Sequence, residues 1–209
     1  MSKRLLLIIS ILVAVILIVF TLFFKKGKNV SETKQNAAFA TYINAYTSGI
    51  ISSESTIRIL LANEINKPIE IGKKIEKQLF QFSPDVRGSA TWVDNRTIEF
   101  RPEHPLPNNT NYTATFNLSD VIDVPNDFKT FTFQFQTVRQ SLEVSIDGMT
   151  TTDKKTLRTQ RLDGSLSTAD VADVQQIEKI VSVSQNGKKL SVNWTHDPNR
   201  LTHHFYVSG

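Results

Sequence analysis

Apolar and polar residues alternate with a period of two along most of the chain after residue 55. In residues 56–62 (TIRILLA), Ile57, Ile59 and Leu61 share one face of an extended backbone. In residues 131–136, three phenylalanines alternate with threonine and glutamine. Clusters of Pro, Asn, Asp and Gly separate such stretches. This pattern predicts half-buried antiparallel β-strands joined by turns.

Turn-forming residues divide the region from 51 to 138 into short strands. Residues 93–98 (VDNRTI) predict a strand, a tight turn and a second strand, because Asp94 and Asn95 tolerate left-handed backbone and bond to their own main chain. Three prolines between residues 102 and 107 exclude a central strand and predict a surface connection, in which Leu106 plugs the edge of the fold. Alternation resumes at Tyr112. We therefore predict an antiparallel β-sandwich over residues 51–138.

Residues 139–209 have fewer strand-like stretches. Alternation predicts strands near residues 142–146, 162–166, 190–194 and 203–207, and a 3.6-residue period over 171–183 predicts one short helix. Ala172, Ile177 and Ile180 would line the buried side of that helix. Four or five strands are too few for two layers and would leave an unpaired edge. We predict a partial β-sandwich-like domain and expect the polypeptide to continue beyond Gly209.

The first residues have a different pattern. From Leu5 to Phe24 only Ser10 and Thr21 are polar, and 20 helical residues span the roughly 30 Å core of a bilayer. A cleaved signal peptide has a shorter apolar stretch and an Ala-x-Ala-like site, whereas bulky residues and lysines follow here. We predict an uncleaved signal anchor over residues 1–28, with the lipid bilayer as its partner. A polar tether follows over residues 29–50, in which residues 37–46 add a short helix or an extended lead-in.

Charge and cysteine content exclude several classes of function. Five of the 24 Lys and Arg residues lie in the first 28 positions, which leaves 19 against 20 Asp and Glu. The basic pI of about 9.3 therefore comes from the flanks of the apolar segment, and nucleic acid is excluded as a partner. The chain contains no cysteine, which excludes disulfides, thiolate metal ligands and a cysteine nucleophile.

One group of residues has metal-ligand chemistry, namely His196, His203 and His204 with Asp197. A strand, however, directs the adjacent His203 and His204 to opposite faces. Acidic residues near 147–153 lack the Asp-x-Asp-x-Asp-Gly spacing of a calcium loop, and no serine has a Gly-x-Ser-x-Gly setting. We predict no catalytic, cofactor-binding or metal site, and a protein that is not an enzyme.

Residues 82–137 carry a motif that resembles the bacterial Ig-like domain found at the start of bacterial alpha-2-macroglobulin-like proteins. Core aromatics, turn formers and proline breakers make up this motif, so it specifies a fold rather than an activity. Its members here are Phe82, Pro84, Gly88, Trp92, Asp94, Thr97, Phe100, Pro102, Pro105, Leu106, Tyr112, Thr113, Phe133, Phe135 and Thr137. Together with the predicted anchor, this resemblance gives a fold class that is mainly β, with a transmembrane helix, an immunoglobulin-like sandwich and a partial second sandwich. The anchor is a departure from the many relatives that use a lipidated cysteine.

Residues 163–194 resemble the first macroglobulin-type domain that follows this module, which would make residues 139–209 the first part of such a domain. The two resemblances together imply the membrane-anchored N-terminal part of a protease-trapping inhibitor, whose targets are proteases. These domains would be scaffold, since a thioester needs the cysteine that the chain lacks. The family's location places the chain in the bacterial cell envelope, with the part after the helix outside the cytoplasm. The alternative is a freestanding Ig-like adhesion or structural module; the oligomeric state stays open.

Overall fold

A computed structural model describes residues 37–156 and 158–209 of the chain. The predicted membrane span from Leu5 to Phe24 lies outside these residues. Within the two described ranges, no helix is both long and apolar enough to cross a membrane. The described residues form two β-domains joined near residue 139.

The first domain is a sandwich of two four-stranded sheets. One sheet has the order β1-β3-β6-β5 and the other the order β2-β8-β7-β4. The strands are Ile43–Tyr46 (β1), Gly49–Ile51 (β2), Ile57–Leu61 (β3), Phe80–Ser83 (β4), Gly88–Trp92 (β5), Thr97–Pro102 (β6), Asn111–Asn117 (β7) and Thr130–Thr137 (β8). Short 3₁₀ turns occupy Ala37–Thr41, Leu118–Asp120 and Asn126–Phe128. Neighbouring strands are antiparallel except β2 and β8, which run parallel.

The predicted alternation produces the core of this sandwich. Ile57, Ile59 and Leu61 of β3 are buried, while Arg58 between them is exposed. On the opposite sheet, three phenylalanines of β8 point inward with at most 3% of each exposed. Burying a large apolar side chain contributes roughly 1.5–3 kcal/mol, so these rows stabilise the contact between the sheets. The prediction of an antiparallel, mainly β fold is confirmed.

Residues 43–51 differ from the prediction, which assigned residues through 50 to a tether. They form β1, which pairs with β3, and β2, which pairs with β8. Residues 37–46 thus contain both predicted alternatives, a 3₁₀ turn and then an extended strand. A bulge between Ile43 and Ala45 breaks the alternation in β1, and Ile50 in β2 is 72% exposed. Apolar and polar residues therefore do not alternate with a period of two in either strand, so the sequence pattern did not predict them.

The turn predicted at Asp94 joins β5 to β6. One carboxylate oxygen of Asp94 accepts hydrogen bonds from the N–H groups of Arg96 and Thr97, at 2.7 and 2.8 Å. The other oxygen accepts from the Thr97 hydroxyl at 2.9 Å. These bonds, the one from the Arg96 N–H above all, lower the pKa of Asp94. The Asp94 side chain closes the turn as an Asx motif does.

The second domain contains one four-stranded sheet, a two-stranded hairpin and one helix. The sheet has the order β13-β14-β10-β9, and β11 pairs with β12. The elements are Leu142–Thr151 (β9), Gln160–Thr168 (β10), Val174–Ile180 (α1), Val183–Gln185 (β11), Lys188–Leu190 (β12), Asn193–His196 (β13) and Thr202–Ser208 (β14). Strands β9 and β10 form a long hairpin, and β10 also pairs with β14.

Helix α1 is shorter than the predicted helix over 171–183. It begins after Asp173, whose side chain accepts hydrogen bonds from two N–H groups of the first turn, and the backbone is extended again at Val181. Ile177 is buried as predicted, with 3% exposed. Ile180 was predicted to be buried and is 48% exposed, because it is the last residue of the helix.

Gly88 is required by the close approach of β5 to β6. A Cβ atom at this position would lie 2.3 Å from the Arg101 carbonyl oxygen and 2.5 Å from the Phe100 ring. We expect Gly88→Ala to destabilise the first domain by roughly 1–3 kcal/mol, because such overpacking displaces a ring and the neighbouring backbone. Urea unfolding in a Trp194→Phe background measures this, since Trp92 then reports the first domain alone.

The matched control is Gly148→Ala in β9, where an added Cβ has no atom within 4 Å. In a Trp92→Phe background this variant should stay within roughly 0.5 kcal/mol of its parent. Equal unfolding midpoints for Gly88→Ala and its parent would show that the β5 to β6 contact is looser than described.

Candidate functional site

The aromatic residues of the sequence motif meet in the core of the first domain. The ring of Phe82 lies 4.7 Å from Phe100 and 6.5 Å from Phe135, and Tyr112 stacks on Phe135 at 5.1 Å. Aromatic pairs at these distances contribute roughly 0.5–1.5 kcal/mol beyond their buried area. Phe133 and Trp92 are also buried, with 2% and 8% exposed. This cluster packs the fold, with Phe82 half-buried and the other rings buried.

The remaining motif residues shape the connections. Pro84 follows β4 in a cis peptide bond, Gly88 lies in β5, and Pro102 ends β6. Leu106 is buried in the connection from β6 to β7, where its N–H donates to the Ser53 carbonyl at 2.8 Å. The motif therefore sets turns and packing. The predicted span residues Leu5 and Phe24 lie outside the described residues.

A buried carboxylate occupies the outer face of β6. Glu99 is 6% exposed and accepts hydrogen bonds from Arg58 at 2.7 Å, Arg101 at 2.9 Å and Thr56 at 3.2 Å. Burial raises the pKa of Glu99, but the two arginines outweigh it, and the net direction is downward. A carboxylate held ionised by two cations is a poor general acid or base, so this group is structural.

The two domains are joined by a second buried carboxylate, Asp170, which is 3% exposed. From the first domain it accepts hydrogen bonds from the Ser52 hydroxyl at 2.5 Å, the Ser53 N–H at 2.7 Å and the Asn108 amide at 3.2 Å. From its own domain it accepts from the Val171 N–H at 2.9 Å. We call Asp170 and these three first-domain partners the junction latch.

Further contacts reinforce the junction latch. The Gln140 side chain, in the segment between the domains, accepts from the Asp170 N–H at 3.0 Å and donates to the Asp170 carbonyl at 3.0 Å. Arg200 forms an ion pair with Glu54 across the same junction. Burial raises the pKa of Asp170, but the hydrogen bonds from Ser52 and Ser53 outweigh it and lower the pKa overall. The carboxylate is therefore ionised and fully engaged at neutral pH.

Sequence reasoning missed the junction latch. Asp170 lies three residues before the helix cap Asp173, where an isolated acidic residue is typical of a helix start. Its partners Ser52 and Ser53 are more than 100 residues away along the chain. No local pattern encodes such a pairing. The only sequence signal is that Asp170 falls within the stretch resembling a macroglobulin-type domain.

A groove of about 480 Å³ lies beside the junction latch. Polar and apolar side chains from both domains line it. These include Glu54, Asn108, Arg200, Leu142, Ile177 and Ile180. Leu142 is also the first residue of strand β9.

Strand β9 carries an exposed apolar face. Leu142, Val144, Ile146 and Met149 are 50%, 47%, 58% and 64% exposed. In the ladder with β10, Val144 lies opposite Leu166, which is fully buried. Residues opposite each other in a ladder share a face of the sheet. These four side chains therefore lie on the same face as buried Leu166, but no described residue buries them. We call the four residues the β9 face.

The histidine group separates as the alternation predicts. His203 is fully buried, whereas His204 is exposed and lies with Asp197, its Nε2 atom 3.7 Å from the carboxylate. His203 Nδ1 lies 2.8 Å from His196 Nδ1, and His196 Nε2 lies 3.2 Å from a Glu178 oxygen. His203 Nε2 is buried without a hydrogen-bond partner among the described residues. Burial first, and then the neighbouring His196, lower the pKa of His203.

Because the Glu178 carboxylate accepts, the neutral His196 ring donates from Nε2 to Glu178, and its Nδ1 accepts from His203 Nδ1. His203 Nε2 then carries the lone pair. Protonation of His203 would bury a positive charge beside His196, which the Arg200 carbonyl and Asp197 compensate only in part. The described residues contain no group of three His, Cys, Asp or Glu positioned to hold a metal ion.

The other acidic candidates serve turns and strands. Asp153 accepts hydrogen bonds from the N–H groups of Lys155 and Thr156, at 2.9 and 3.2 Å, and closes the turn between β9 and β10. Asp147 accepts from the Ser165 hydroxyl at 3.2 Å on the polar face of the sheet. Neither belongs to a cation loop.

Comparison with known proteins yields one family. The sequence model of the bacterial Ig-like domain matches residues 25–137. Among curated proteins there is no significant match.

Similar solved structures include an L,D-transpeptidase from Mycobacterium tuberculosis H37Rv, with 11% identity, a TM-score of 0.35, and coverage of 76% of this chain and 60% of that chain. Another is L,D-transpeptidase 3 from Mycobacterium tuberculosis with a faropenem-derived adduct, with 10% identity, a TM-score of 0.35, and coverage of 77% and 59%. The chain thus spans about three fifths of these structures. Likeness at this level supports no inference about activity.

The junction latch predicts how Asp170→Asn behaves. The asparagine amide places an N–H group beside donors that the Asp170 carboxylate accepts from, so at least one hydrogen bond is lost. This loss should destabilise the contact between the two domains by roughly 1–2 kcal/mol. Arg139 lies exposed between the domains, so trypsin cleavage there should accelerate about 5- to 30-fold. Gel analysis of a digestion time course measures the rate. Asp123→Asn, in an exposed turn of the first domain, is the control. Equal cleavage of both variants would mean that Asp170 does not hold the domains together.

Buried His203 predicts an acid-sensitive second domain. Its folded pKa lies below the unfolded value of about 6.5, so the unfolded chain takes up the proton first. Stability is complete above pH 6.5 and decreases as the pH falls through 6.5 toward the folded pKa. Urea unfolding at pH 7.5 and 5.5 in a Trp92→Phe background, read from Trp194, measures this loss. His203→Leu should reduce this pH dependence of the free energy of unfolding. An unchanged dependence in that variant would contradict the assignment of the acid sensitivity to His203.

Proposed function

This chain belongs to the bacterial Ig-like domain family, and on that premise we propose that it is a non-enzymatic scaffold of the bacterial cell envelope. Residues 5–24 hold it in the membrane, and the two β-domains lie outside the cytoplasm. The larger protein is an alpha-2-macroglobulin-like protease-trapping inhibitor, of which this chain is the N-terminal part. Proteases are then targets of the whole protein, while these domains position the parts that follow.

The junction latch is the observation that carries the scaffold role. A flexible pair of domains needs no buried polar network between them, whereas Asp170 accepts four hydrogen bonds at the junction and is 3% exposed. Networks of this kind specify a single arrangement, because each lost partner leaves a buried polar group unsatisfied. The second domain thus has a defined orientation on the first, as a protein that positions later domains requires.

The exposed sheet of the second domain supports a place within a larger β-rich protein. Its sheet is exposed along β9, where four large apolar side chains continue a face that is elsewhere buried. Monomeric soluble proteins rarely expose contiguous apolar surface of this kind without a binding role. The trap assignment itself rests on the resemblance of residues 82–137 and 163–194 to the start of such proteins.

Four carboxylates have lowered pKa values, and their hydrogen-bond partners support a role without catalysis. Asp94 and Asp153 close turns, Glu99 binds two arginines, and Asp170 joins the domains. A catalytic carboxylate needs a free oxygen facing a substrate site, and in these four the hydrogen bonds serve the fold.

A freestanding Ig-like adhesion or structural module is the second candidate. The β9 face favours it as well, since an exposed apolar strand is a site at which another protein binds. The two candidates differ in the length of the natural polypeptide and in the response to protease.

The endogenous protein distinguishes them. Membrane fractionation and immunoblotting with an antibody raised against residues 28–209 should show a membrane species far larger than 23.6 kDa, the mass of this chain. Added protease should cut it at a distant exposed segment and leave an antibody-reactive fragment in the membrane. A stable 23.6 kDa membrane species would contradict the trap and favour the freestanding module.

A further inference from the structure

Among the described residues, strand β9 lies at the edge of its sheet and pairs with β10 alone. All ten of its residues are exposed. Natural proteins protect edge strands of this length with inward charges, prolines or covering loops, because unpaired backbone groups recruit other strands. No described residue pairs with the outer side of β9.

The hydrogen-bond pattern shows which backbone groups face outward. The Ala169 N–H donates to the Ser141 carbonyl at 3.0 Å, directly before the pairing of Leu142 with Thr168. In an antiparallel ladder, bonded and non-bonded pairs alternate, so Leu142, Val144 and Ile146 direct their N–H and C=O groups away from β10. At the other end, the Thr152 N–H donates to Thr159 at 2.9 Å.

The hydrogen-bonded pair Thr152 and Thr159 shows which residues point their N–H and C=O groups away from β10 on the other side of the bulge. A register shift lies between Asp163 and Gly164 of β10, and counting back from Thr152 places Met149 among the outward residues. The outward residues are therefore the four residues of the β9 face and Thr151. A strand added to this edge would gain main-chain hydrogen bonds and apolar contact at the same positions.

The other side of β9 is acidic. Glu143 lies on that side because it alternates with Leu142 and Val144, and Asp147 lies there with its carboxylate near the Ser165 hydroxyl. Asp163 of β10 is already engaged by Arg161, which also lies 4.1 Å from the Tyr206 ring centroid. The two β9 carboxylates favour a neighbouring strand that carries Lys or Arg at its alternate positions.

A second copy of this chain fits the edge poorly. Pairing β9 with β9 about a two-fold axis brings Glu143 of one copy opposite or diagonal to Glu143 or Asp147 of the other, in any register that aligns the outward residues. Like charges at such positions destabilise a ladder. The edge therefore favours a segment whose sequence differs from that of β9.

We infer that β9 is a docking edge for an extended protein segment in which apolar residues alternate with Lys or Arg. The segment adds a fifth strand to the sheet, with its apolar side chains beside the β9 face and its basic side chains beside Glu143 and Asp147. Main-chain bonds supply affinity, and the two faces supply specificity. This inference goes beyond the proposed function and does not depend on it, because it rests on β9 alone.

Fluorescent ten-residue peptides test the docking edge, with the full chain in non-ionic detergent and binding read by fluorescence anisotropy. One probe alternates Lys with Val, and its control alternates Glu with Val. The Lys peptide should bind at least about tenfold more tightly, because its charges attract Glu143 and Asp147 whereas those of the Glu peptide repel them. Glu143→Lys should reduce or reverse this preference.

A matched pair of variants tests the backbone contact. Val144→Pro removes one outward N–H without breaking a bond to β10, whereas Val144→Thr keeps the N–H and nearly the same shape. Binding of the Lys peptide should fall at least about tenfold in the proline variant relative to the threonine variant. Circular dichroism and Trp194 emission confirm that both variants fold.

Three results would overturn the docking edge. The first is equal affinity for the Lys and Glu peptides. The second is equal affinity of the Val144→Pro and Val144→Thr variants for the Lys peptide. The third is a stable dimer in analytical sedimentation that Ile146→Lys abolishes. The dimer would identify a second copy as the occupant of β9. The size of the endogenous protein on an immunoblot affects none of these, so the proposed function and this inference fail separately.

Discussion

The arrangement of the two domains depends on one buried carboxylate. Asp170 is removed from water and compensated by hydrogen bonds from Ser52, Ser53 and Asn108 of the first domain. Burying a charge is costly unless it is paired or fully hydrogen-bonded, so every donor must be in place at once. This requirement makes the junction specific: a small rotation between the domains would leave Asp170 and its donors unsatisfied. The groove and the start of β9 lie beside this point and take their position from it.

The two domains differ in how completely they bury their sheets. In the first, two sheets cover each other, and rows of aliphatic and aromatic side chains from both fill the space between them. In the second, one sheet is accompanied by the seven-residue helix α1 and a short hairpin, and the apolar side chains of β9 stay in contact with water. The first domain thus buries the apolar faces of both its sheets, whereas the second leaves apolar side chains of β9 exposed. This asymmetry is what connects the fold to an interaction role.

Alternation predicted the strands whose side chains face a core, such as β3 and β8, because burial on one face imposes a two-residue period. It did not find β1 and β2, whose short pairings contain a bulge or leave Ile50 exposed. The opposite placement of His203 and His204 followed from the same period, but the contact of His203 with His196 required the pairing of β13 with β14. The unpaired edge was expected from the number of strands. The junction latch was not, since its residues are far apart in sequence.

If the junction latch holds the two domains in one orientation, the distance between one residue in each domain has a single value. The absence of cysteine allows two spin labels to be placed cleanly, at Asp123→Cys in the first domain and Lys188→Cys in the second, both exposed positions. Pulsed electron paramagnetic resonance then measures the distance between them. We predict one narrow distance distribution, which broadens when Asp170→Ala is added. A distribution already broad in the parent chain would contradict a fixed junction and indicate two independently moving domains.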